Sequence, residues 1–280
     1  MRYTTLISVA ELAAHRADPQ CVVCDCRHDL ADTAAGRAAY AKSHLPGARF
    51  LHLDDDLSGT KTGRNGRHPL PDPAVLARKL GALGIGNATQ VVAYDASGGC
   101  FAARLWWLLR WLGHERVAVL DGGWPAWLAA GQPVTPDAPA VTPVVFAVDL
   151  QPQLAIDADF VVQHLATTDF QVLDARTADR FRGENETLDP VAGHIPGAVN
   201  RCFKDNLDAA GHFKSPALLR HEWQAMLAAR SPAQIIHQCG SGVTACHNLL
   251  AMEHAGFAGS RLYPGSWSEW VADPSRPVAR

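Results

Sequence analysis

The chain has 280 residues, of which 48% are hydrophobic, and its formal net charge is −3. This length suits two domains of ordinary size, each able to bury a core of its own. The weak net charge and balanced composition argue against a nucleic-acid-binding protein, an acidic tail or a disordered chain.

The N-terminus and the cysteines indicate a cytoplasmic protein. Residues 1–8 lack the sustained apolar segment of a signal peptide, and no run approaches the roughly 18 apolar residues that a membrane span requires. Seven cysteines, an odd number scattered over the chain, fit a reducing compartment better than a disulfide framework. We therefore expect no membrane partner and no nucleic-acid partner.

Short apolar segments alternate with helical stretches in the first half of the chain. Strands are predicted over residues 21–24, 91–94 and 117–120, and a helix over residues 101–112. This alternation is typical of an α/β domain in which a parallel sheet carries helices on both faces. The tryptophans of the predicted helix, Trp106, Trp107 and Trp111, fit a buried helical face rather than a stacking platform.

Cys21, Cys24 and Cys26 have the spacing C-x2-C-x-C, which also occurs in metal sites. They coincide with the first predicted strand, and the sequence has no second cysteine or histidine pair at ligand spacing. We therefore expect no metal.

The two halves of the chain resemble each other at an offset of about 150 residues. Asp25 and Arg27 of the first half correspond to Asp174 and Arg176 of the second, and a His-x-Pro-Gly-Ala segment follows each pair. A duplicated domain explains the likeness. Because the Asp and Arg pair occurs in both halves, we expect it to form an internal ion pair at a strand end.

A proline-rich segment separates the two halves. Residues 133–147 contain several prolines without helical periodicity, as expected of a semi-extended linker. We place the N-terminal domain at residues 1–132 and the C-terminal domain at residues 148–280.

A short apolar strand runs into Cys239, which is followed by Gly240, Ser241 and Gly242 before a helical pattern begins. Small residues let the loop curl so that backbone N–H groups turn inward, and the next helix adds free donors. Such donors and the helix dipole favour a thiolate, the nucleophilic form of cysteine. A buried structural cysteine is the alternative, but the small residues favour a catalytic nucleophile. The matching position in the first half is Asp95, so we expect chemistry in the second half.

These features together resemble the two-domain rhodanese superfamily. The tandem halves, the paired His-x-Pro-Gly-Ala segments, the loop at residues 239–245 and residues 263–270 carry the resemblance, which covers nearly the whole chain. It implies two tandem rhodanese-like domains. In this superfamily, thiosulfate sulfurtransferases typically carry Arg and Lys after the cysteine, whereas 3-mercaptopyruvate sulfurtransferases carry Gly and Ser or Thr. Gly240 and Ser241 favour the second group, because a dianionic donor gains from cations at the loop.

The resemblance implies a double-displacement reaction that uses no cofactor. Cys239 takes sulfur from a small-molecule donor, 3-mercaptopyruvate, and pyruvate leaves. The resulting persulfide passes its sulfur to cyanide or to a thiol acceptor such as thioredoxin or a low-molecular-weight thiol. The N–H groups of Gly240, Gly242, Val243 and Thr244 would hold the persulfide's negative charge.

The resemblance also implies a proton relay like that of serine proteases, formed by Ser241, His68 and Asp54. Asp55 and Asp56 are adjacent alternatives to Asp54. The alternative interpretation of His68 is a loop histidine beside a proline turn.

Arg180 matches the arginine with which the family binds the substrate carboxylate. The family's second arginine is missing, because Asp189 stands at its place, and Arg182 and Arg201 are candidates to replace it. Cys246, on the following helix, would either form a regulatory disulfide with the nucleophile or contribute to helix packing.

Three rival functions stay open. A cysteine phosphatase requires the motif C-x5-R, but Ala245 stands at the arginine position. A noncatalytic persulfide carrier in a sulfur relay would not need Ser241 or Arg180. Thiosulfate sulfurtransferase is the nearest alternative, since the missing second arginine weakens the assignment of 3-mercaptopyruvate as the donor.

Overall fold

The computed structural model describes residues 2–280, which pack as two units. Unit 1 comprises the chain up to Gly59, Pro71–Gln151 and Ala209–His212. Unit 2 comprises Thr60–Leu70, Pro152–Asp208 and Phe213–Arg280. Each half of the sequence thus gives one short segment to the unit formed mainly by the other half. The domain boundary at residues 133–147 remains a prediction, because the two units describe packing and not independent folding.

Unit 1 contains a parallel sheet of five strands. The strands are β1 (Leu6–Ile7), β2 (Cys21–Asp25), β3 (Arg49–Phe50), β4 (Gln90–Tyr94) and β5 (Val117–Leu120). Their order across the sheet is β1-β5-β4-β2-β3, and the central register pairs Cys21 with Gln90 through to Asp25 with Tyr94. All four neighbouring pairs are parallel, as the alternation of strands and helices predicts.

Five helices accompany this sheet. They are α1 (Val9–His15), α2 (Ala35–Lys42), α3 (Pro73–Ala82), α4 (Ala102–Trp111) and α5 (Gly123–Ala129). Local sequence explains where two of them begin. Ser8 and Glu11 form a capping box at α1. At the start of α3, the side chain of Asp72 accepts hydrogen bonds from the N–H groups of Ala74 and Val75, and Pro73 occupies the first helical position.

The core of unit 1 lies on both faces of its sheet, because alternate side chains of a strand point in opposite directions. On one face, Val23 and Val92 pack with Leu12 of α1 and Trp127 of α5. On the other face, α4 lies against β4 and β5. The three tryptophans of α4 are buried, which confirms the predicted buried helical face.

Unit 2 repeats this plan with four parallel strands. They are β6 (Gln171–Asp174), β7 (Val199–Asn200), β8 (Ile235–Gln238) and β9 (Arg261–Leu262), in the order β7-β6-β8-β9. The α-helices are α6 (Ala158–His164), α7 (Ala178–Phe181), α8 (Pro216–Leu227), α9 (Ala245–His254) and α10 (Ser266–Trp270). Short 3-10 helices span Pro152–Leu154, Phe203–Asn206 and Pro232–Gln234.

Helices cover both faces of the second sheet as well. Ile236 of β8 packs with Val161 of α6 and with Trp267 and Trp270 of α10. The next residue, His237, points to the opposite face, where its ring meets Trp223 of α8 and where α9 lies against β8. The predicted architecture of two parallel α/β sheets with helices on both faces is therefore confirmed.

The residues repeated between the halves have the same structural tasks in both units. Arg27 Nη2 pairs with Asp25 at 2.6 Å, and Arg176 Nη2 pairs with Asp174 at 2.7 Å, in both cases at a strand end. Each guanidinium also lies over a tryptophan ring. The distance to the ring centroid is 4.3 Å for Trp124 in unit 1 and 4.8 Å for Trp267 in unit 2. The prediction of a buried structural ion pair is confirmed.

Within residues 2–280, no helix combines the length and the apolar character that crossing a bilayer demands.

Candidate active site

Cys239 stands at the end of β8 and opens the loop that leads into α9. Its side chain is 2% exposed, and its sulfur accepts hydrogen bonds from the N–H of Ser241 at 3.5 Å and of Gly242 at 3.1 Å. Gly242 has a φ of +76°, and a Cβ there would stand 2.2 Å from the carbonyl oxygen of Pro264. Only glycine fits this position, so the loop sequence is what brings the two N–H groups to the sulfur.

In the corresponding loop of unit 1, the carboxylate of Asp95 accepts the backbone N–H groups of the loop. Asp95 is fully buried and accepts four backbone N–H groups at 2.7 to 2.9 Å. These donors belong to Ser97, Gly99, Phe101 and Ala102. Burial raises the pKa of Asp95, while the N–H groups act in the opposite direction. In both units, therefore, backbone donors of this loop turn toward the side chain of its first residue.

A buried hydroxyl and imidazole lie beside Cys239. Ser241 Oγ is 2.7 Å from His68 Nδ1, and the two residues are 7% and 5% exposed. His68 reaches unit 2 because Thr60–Leu70 packs there rather than with the half of the sequence that contains it. The structure thus brings together two members of the predicted relay.

Two guanidinium groups lie close to Gly240, the residue after Cys239. From the place where a Cβ of Gly240 would stand, Arg67 Nη2 is 2.8 Å away, and Arg180 Nη2 and Nη1 are 3.5 and 3.6 Å away. Any larger residue at this position would meet the guanidinium groups. Glycine therefore gives the two cations room next to Cys239.

Both guanidinium groups are held by buried carboxylates. Arg180 Nη2 pairs with Glu186 at 2.8 Å and lies 3.4 Å from Asp189, which also forms an ion pair with Arg67. Burial alone would raise the pKa of Glu186, but hydrogen bonds from Arg180 and the backbone outweigh it and the pKa is lowered. Burial raises the pKa of Asp189, and Arg67 opposes that shift.

The rhodanese-like domain family matches residues 8–130 and again residues 157–273. The chain belongs to the rhodanese family. The chain is 48% identical over 281 residues to a "Probable 3-mercaptopyruvate sulfurtransferase" of Pseudomonas aeruginosa, covering 100% of this chain and 99% of the relative. It is 38% identical over 289 residues to a "Putative thiosulfate sulfurtransferase SseB" of Mycobacterium tuberculosis, covering 100% and 98%.

A solved structure supports the same family. The 3-mercaptopyruvate sulfurtransferase SseA of Escherichia coli superposes on this chain with a TM-score of 0.81 at 30% identity, covering 95% of this chain and 99% of that one. The recognition of a two-domain rhodanese from its motifs is confirmed.

Arg67 lies against Gly240 in this rhodanese, and the sequence motifs do not reveal that position. The two arginines proposed to replace the missing one are engaged elsewhere, Arg182 with Glu184 at the surface and Arg201 with Glu222 at 2.6 Å. Two signals point to Arg67 in retrospect. Arg67 directly precedes His68 in the sequence. In addition, Asp189 is an acid at the position where the family has a cation, and a buried acid implies a cation nearby.

Asp54, the predicted third member of the relay, belongs to unit 1. There its carboxylate lies 3.9 Å from His28 Nε2, and with His52 the three side chains lie within 4.8 Å of one another. His52 Nδ1 accepts from two backbone N–H groups and Nε2 bonds the carbonyl oxygen of Thr33. This histidine therefore has no nitrogen left for a metal ion, and the role of Asp54 stays a prediction.

Three of the remaining residues singled out from the sequence lie in or directly after the Cys239 loop, and one lies in β2. Val243 is buried and Thr244 is the last residue before α9, and their proposed role as N–H donors stays a prediction. Cys246 is buried and its Sγ donates to the carbonyl oxygen of Gly242 at 3.3 Å, so it supports the loop from within the helix. Cys24 lies in β2, where burial raises its pKa to about 12, which disfavours the thiolate that metals bind.

Proposed function

We propose that this chain is a sulfurtransferase that moves a sulfane sulfur from 3-mercaptopyruvate, through a persulfide on Cys239, to a thiol or cyanide acceptor, and releases pyruvate. The observation that carries the proposal is the buried hydrogen bond of 2.7 Å between Ser241 Oγ and His68 Nδ1, beside the nucleophile. A thiol donor needs a proton moved during the reaction, and a hydroxyl paired with an imidazole can move one. The name of the Pseudomonas aeruginosa relative supports the same donor.

The first half-reaction forms one S–S bond and breaks one C–S bond. The Cys239 thiolate attacks the donor sulfur, and the electron pair of the C–S bond stays on C3 of the donor as the enolate of pyruvate. The proton of the donor thiol moves to C3, so pyruvate leaves with a methyl group and an anionic persulfide remains. In the second half-reaction the acceptor takes the outer sulfur, and Cys239 returns as a thiolate.

Ser241 and His68 are the groups that would carry the proton. With its own proton on Nε2, His68 accepts the hydroxyl proton of Ser241 at Nδ1, and the hydroxyl oxygen can receive the proton of the donor thiol. When Ser241 passes this proton on to C3, His68 returns the first proton to Ser241, and both groups are back in their starting state. Asp54 remains the proposed third member, whose carboxylate would fix the tautomer and the orientation of the ring.

The persulfide is the anion that the loop is built to hold. The outer sulfur of a cysteine persulfide stands two bonds from Cβ, as do the carboxylate oxygens of an aspartate. Asp95 occupies the equivalent loop of unit 1 and receives four N–H groups on those oxygens. By analogy, the N–H groups between Gly240 and Thr244 would stabilise the negative charge on the outer sulfur.

Arg67 and Arg180 would bind the donor's carboxylate. Their terminal nitrogens lie against Gly240, and a carboxylate is the group that two guanidinium forks bind well. Two cations would also attract thiosulfate, and the Mycobacterium tuberculosis relative named for that donor makes thiosulfate sulfurtransferase the second candidate.

For the acceptor, a thiol such as thioredoxin, a low-molecular-weight thiol or cyanide stays a proposal at the level of the family. The cytoplasmic location is likewise a proposal. It is supported by the cysteines, whose odd number, seven, does not suit a disulfide framework.

The test compares two donors with one acceptor. We expect kcat/KM to be higher for 3-mercaptopyruvate than for thiosulfate, and mass spectrometry to find one added sulfur atom on Cys239. Ser241→Ala should lower kcat/KM for 3-mercaptopyruvate by roughly 10²-fold, the usual contribution of proton transfer by a positioned side chain. Thiosulfate carries no proton at neutral pH, so its turnover should change far less.

Ser260→Ala is the matched control. Ser260 is also a buried serine of unit 2, and its hydroxyl has no hydrogen-bond partner within residues 2–280, so its removal should leave both donors unaffected. If kcat/KM is higher for thiosulfate, and Ser241→Ala leaves kcat/KM for 3-mercaptopyruvate unchanged, both the proposed donor and the proposed proton relay are wrong.

A further inference from the structure

The charges next to Cys239 are balanced within the protein. Arg67 and Arg180 face Gly240, and the carboxylates of Asp189 and Glu186 pair with them. These carboxylates are 2% and 1% exposed, so solvent screens their charges weakly. A bound donor therefore meets two positive and two negative charges at short range.

The two carboxylates differ in what else they contact. Glu186 also pairs with Arg176 at 3.3 Å, the arginine that belongs to the structural ion pair at the end of β6. Asp189 instead contacts both arginines of the site, through Oδ1 to Arg67 and through Oδ2 to Arg180 at 3.4 Å. Asp189 is thus the acid placed between the two cations.

The contacts of Asp189 also decide which arginine nitrogens a donor can reach. Asp189 engages Arg67 through Nη1 and Arg180 through Nη2. Arg67 Nη2 lies 2.8 Å from the Cβ position of Gly240, and Arg180 Nη2 and Nη1 lie 3.5 and 3.6 Å from it. Of these nitrogens, Arg67 Nη2 and Arg180 Nη1 are the two that Asp189 does not engage. One nitrogen from each guanidinium suits a single carboxylate that bridges the pair, while the nearby Asp189 charge repels any second negative charge on the donor.

We propose that Asp189 sets the donor preference of this site, by disfavouring dianionic sulfur donors relative to donors that carry a single carboxylate. The proposal rests on the function proposed above. The repulsion between Asp189 and a bound donor scales with the donor's charge, so a dianion such as thiosulfate is penalised about twice as strongly as 3-mercaptopyruvate. Selectivity of this kind comes from a repulsive element built against the competitor.

The test removes the charge and keeps the shape. Asp189→Asn retains an oxygen that can accept from Arg67, and the ratio of kcat/KM for thiosulfate to that for 3-mercaptopyruvate should rise roughly tenfold, as expected for one poorly screened charge at close range. Glu184→Gln is the matched control, because it removes one negative charge from an exposed pair with Arg182 in the same region of the chain. Its ratio should equal that of the wild type.

Calorimetric titration with sulfate and with pyruvate gives a readout that needs no turnover. Asp189→Asn should tighten sulfate binding more than pyruvate binding. Arg67→Gln removes a positive charge from the same site, so the ratio of thiosulfate to 3-mercaptopyruvate turnover should fall instead of rise. This variant also tests the electrostatic selectivity if Asp189→Asn does not fold.

Different results would overturn the proposed function and the role of Asp189. If the wild type releases no pyruvate from 3-mercaptopyruvate, the proposed function is wrong. If it does, but Asp189→Asn changes turnover of both donors and binding of both anions by equal factors, Asp189 is merely structural and the proposal is overturned.

Discussion

Gly242 is the position where the shape of the Cys239 loop is most open to a direct test. The substitution Gly242→Ala adds a Cβ at a φ of +76° and 2.2 Å from the carbonyl oxygen of Pro264. Backbone atoms cannot rotate away as a side chain would. Either the loop or the segment that carries Pro264 must move.

The magnitude follows from two contributions. A non-glycine residue in the left-handed region costs about 1 to 2 kcal/mol, and forcing an extra methyl into a packed site costs about 1 to 3 kcal/mol more. Gly242→Ala should therefore lower the free energy of unfolding by roughly 2 to 5 kcal/mol. Gly197→Ala isolates the first contribution, because its φ is +78° and nothing lies within 4 Å of its Cβ position.

Urea unfolding and single-turnover kinetics measure the two consequences. Because the Gly242 N–H donates to the Cys239 sulfur at 3.1 Å, a displaced loop should slow persulfide formation by about 10²-fold, the effect of losing one oxyanion-type donor. Gly197→Ala should form the persulfide at the rate of the wild type. Equal stability of the two variants, with persulfide formation intact in both, would refute the reasoning.

Three further predictions concern single side chains. Burial lowers the pKa of His237 from its usual 6.5 to about 3, so between these values only the unfolded state takes up the proton. Stability should then fall by about 1 kcal/mol from pH 7 to pH 5.5, and His237→Leu should flatten that part of the urea-unfolding profile. Asp95→Asn turns an amide N–H₂ toward N–H donors and should lower the free energy of unfolding by about 2 to 4 kcal/mol in the same assay. Arg67→Met should lower kcat/KM for 3-mercaptopyruvate by about tenfold or more, the effect of losing a charge-assisted hydrogen bond, while Arg182→Met, at an exposed pair, leaves it unchanged.

Much of the fold follows from patterns that are local in sequence. The strand ahead of Cys239 is visible as an apolar run and becomes β8 (Ile235–Gln238). The helix expected over residues 101–112 becomes α4 (Ala102–Trp111). The Asp174 and Arg176 pair is likewise evident, because its partners lie two residues apart and recur in both halves. Short-range geometry decides these features, so a single sequence is enough.

The site depends on contacts that no local pattern encodes. Arg67 meets Asp189, and His68 meets Ser241, only because Thr60–Leu70 packs with unit 2. A motif carried over from a family assigns residues to expected positions, and here the cation comes from a different loop than the motif predicts. The departure at Asp189 was readable in the sequence, but its partner was not.

The duplicated halves also differ in how the polar side chains are satisfied at the end of the strand that leads into this loop. In unit 1, Tyr94 at the end of β4 donates to Asp25 at 2.5 Å, and the next residue, Asp95, receives four N–H groups. In unit 2 the matching strand ends with His237 and Gln238. Within residues 2–280, His237 Nδ1 and both amide atoms of Gln238 are buried without a hydrogen-bond partner.

Each unsatisfied buried group costs about 1 to 3 kcal/mol, so the end of the strand that precedes Cys239 carries a local energetic cost. Strain and unmet hydrogen bonds concentrate at functional sites, where the surrounding fold must hold them in place. At the equivalent strand end of unit 1, the Asp95 carboxylate is a built-in anion that receives four N–H groups. At the Cys239 loop two N–H groups reach the sulfur, and the unsatisfied groups of His237 and Gln238 lie directly before the residue proposed to carry the transferred sulfur.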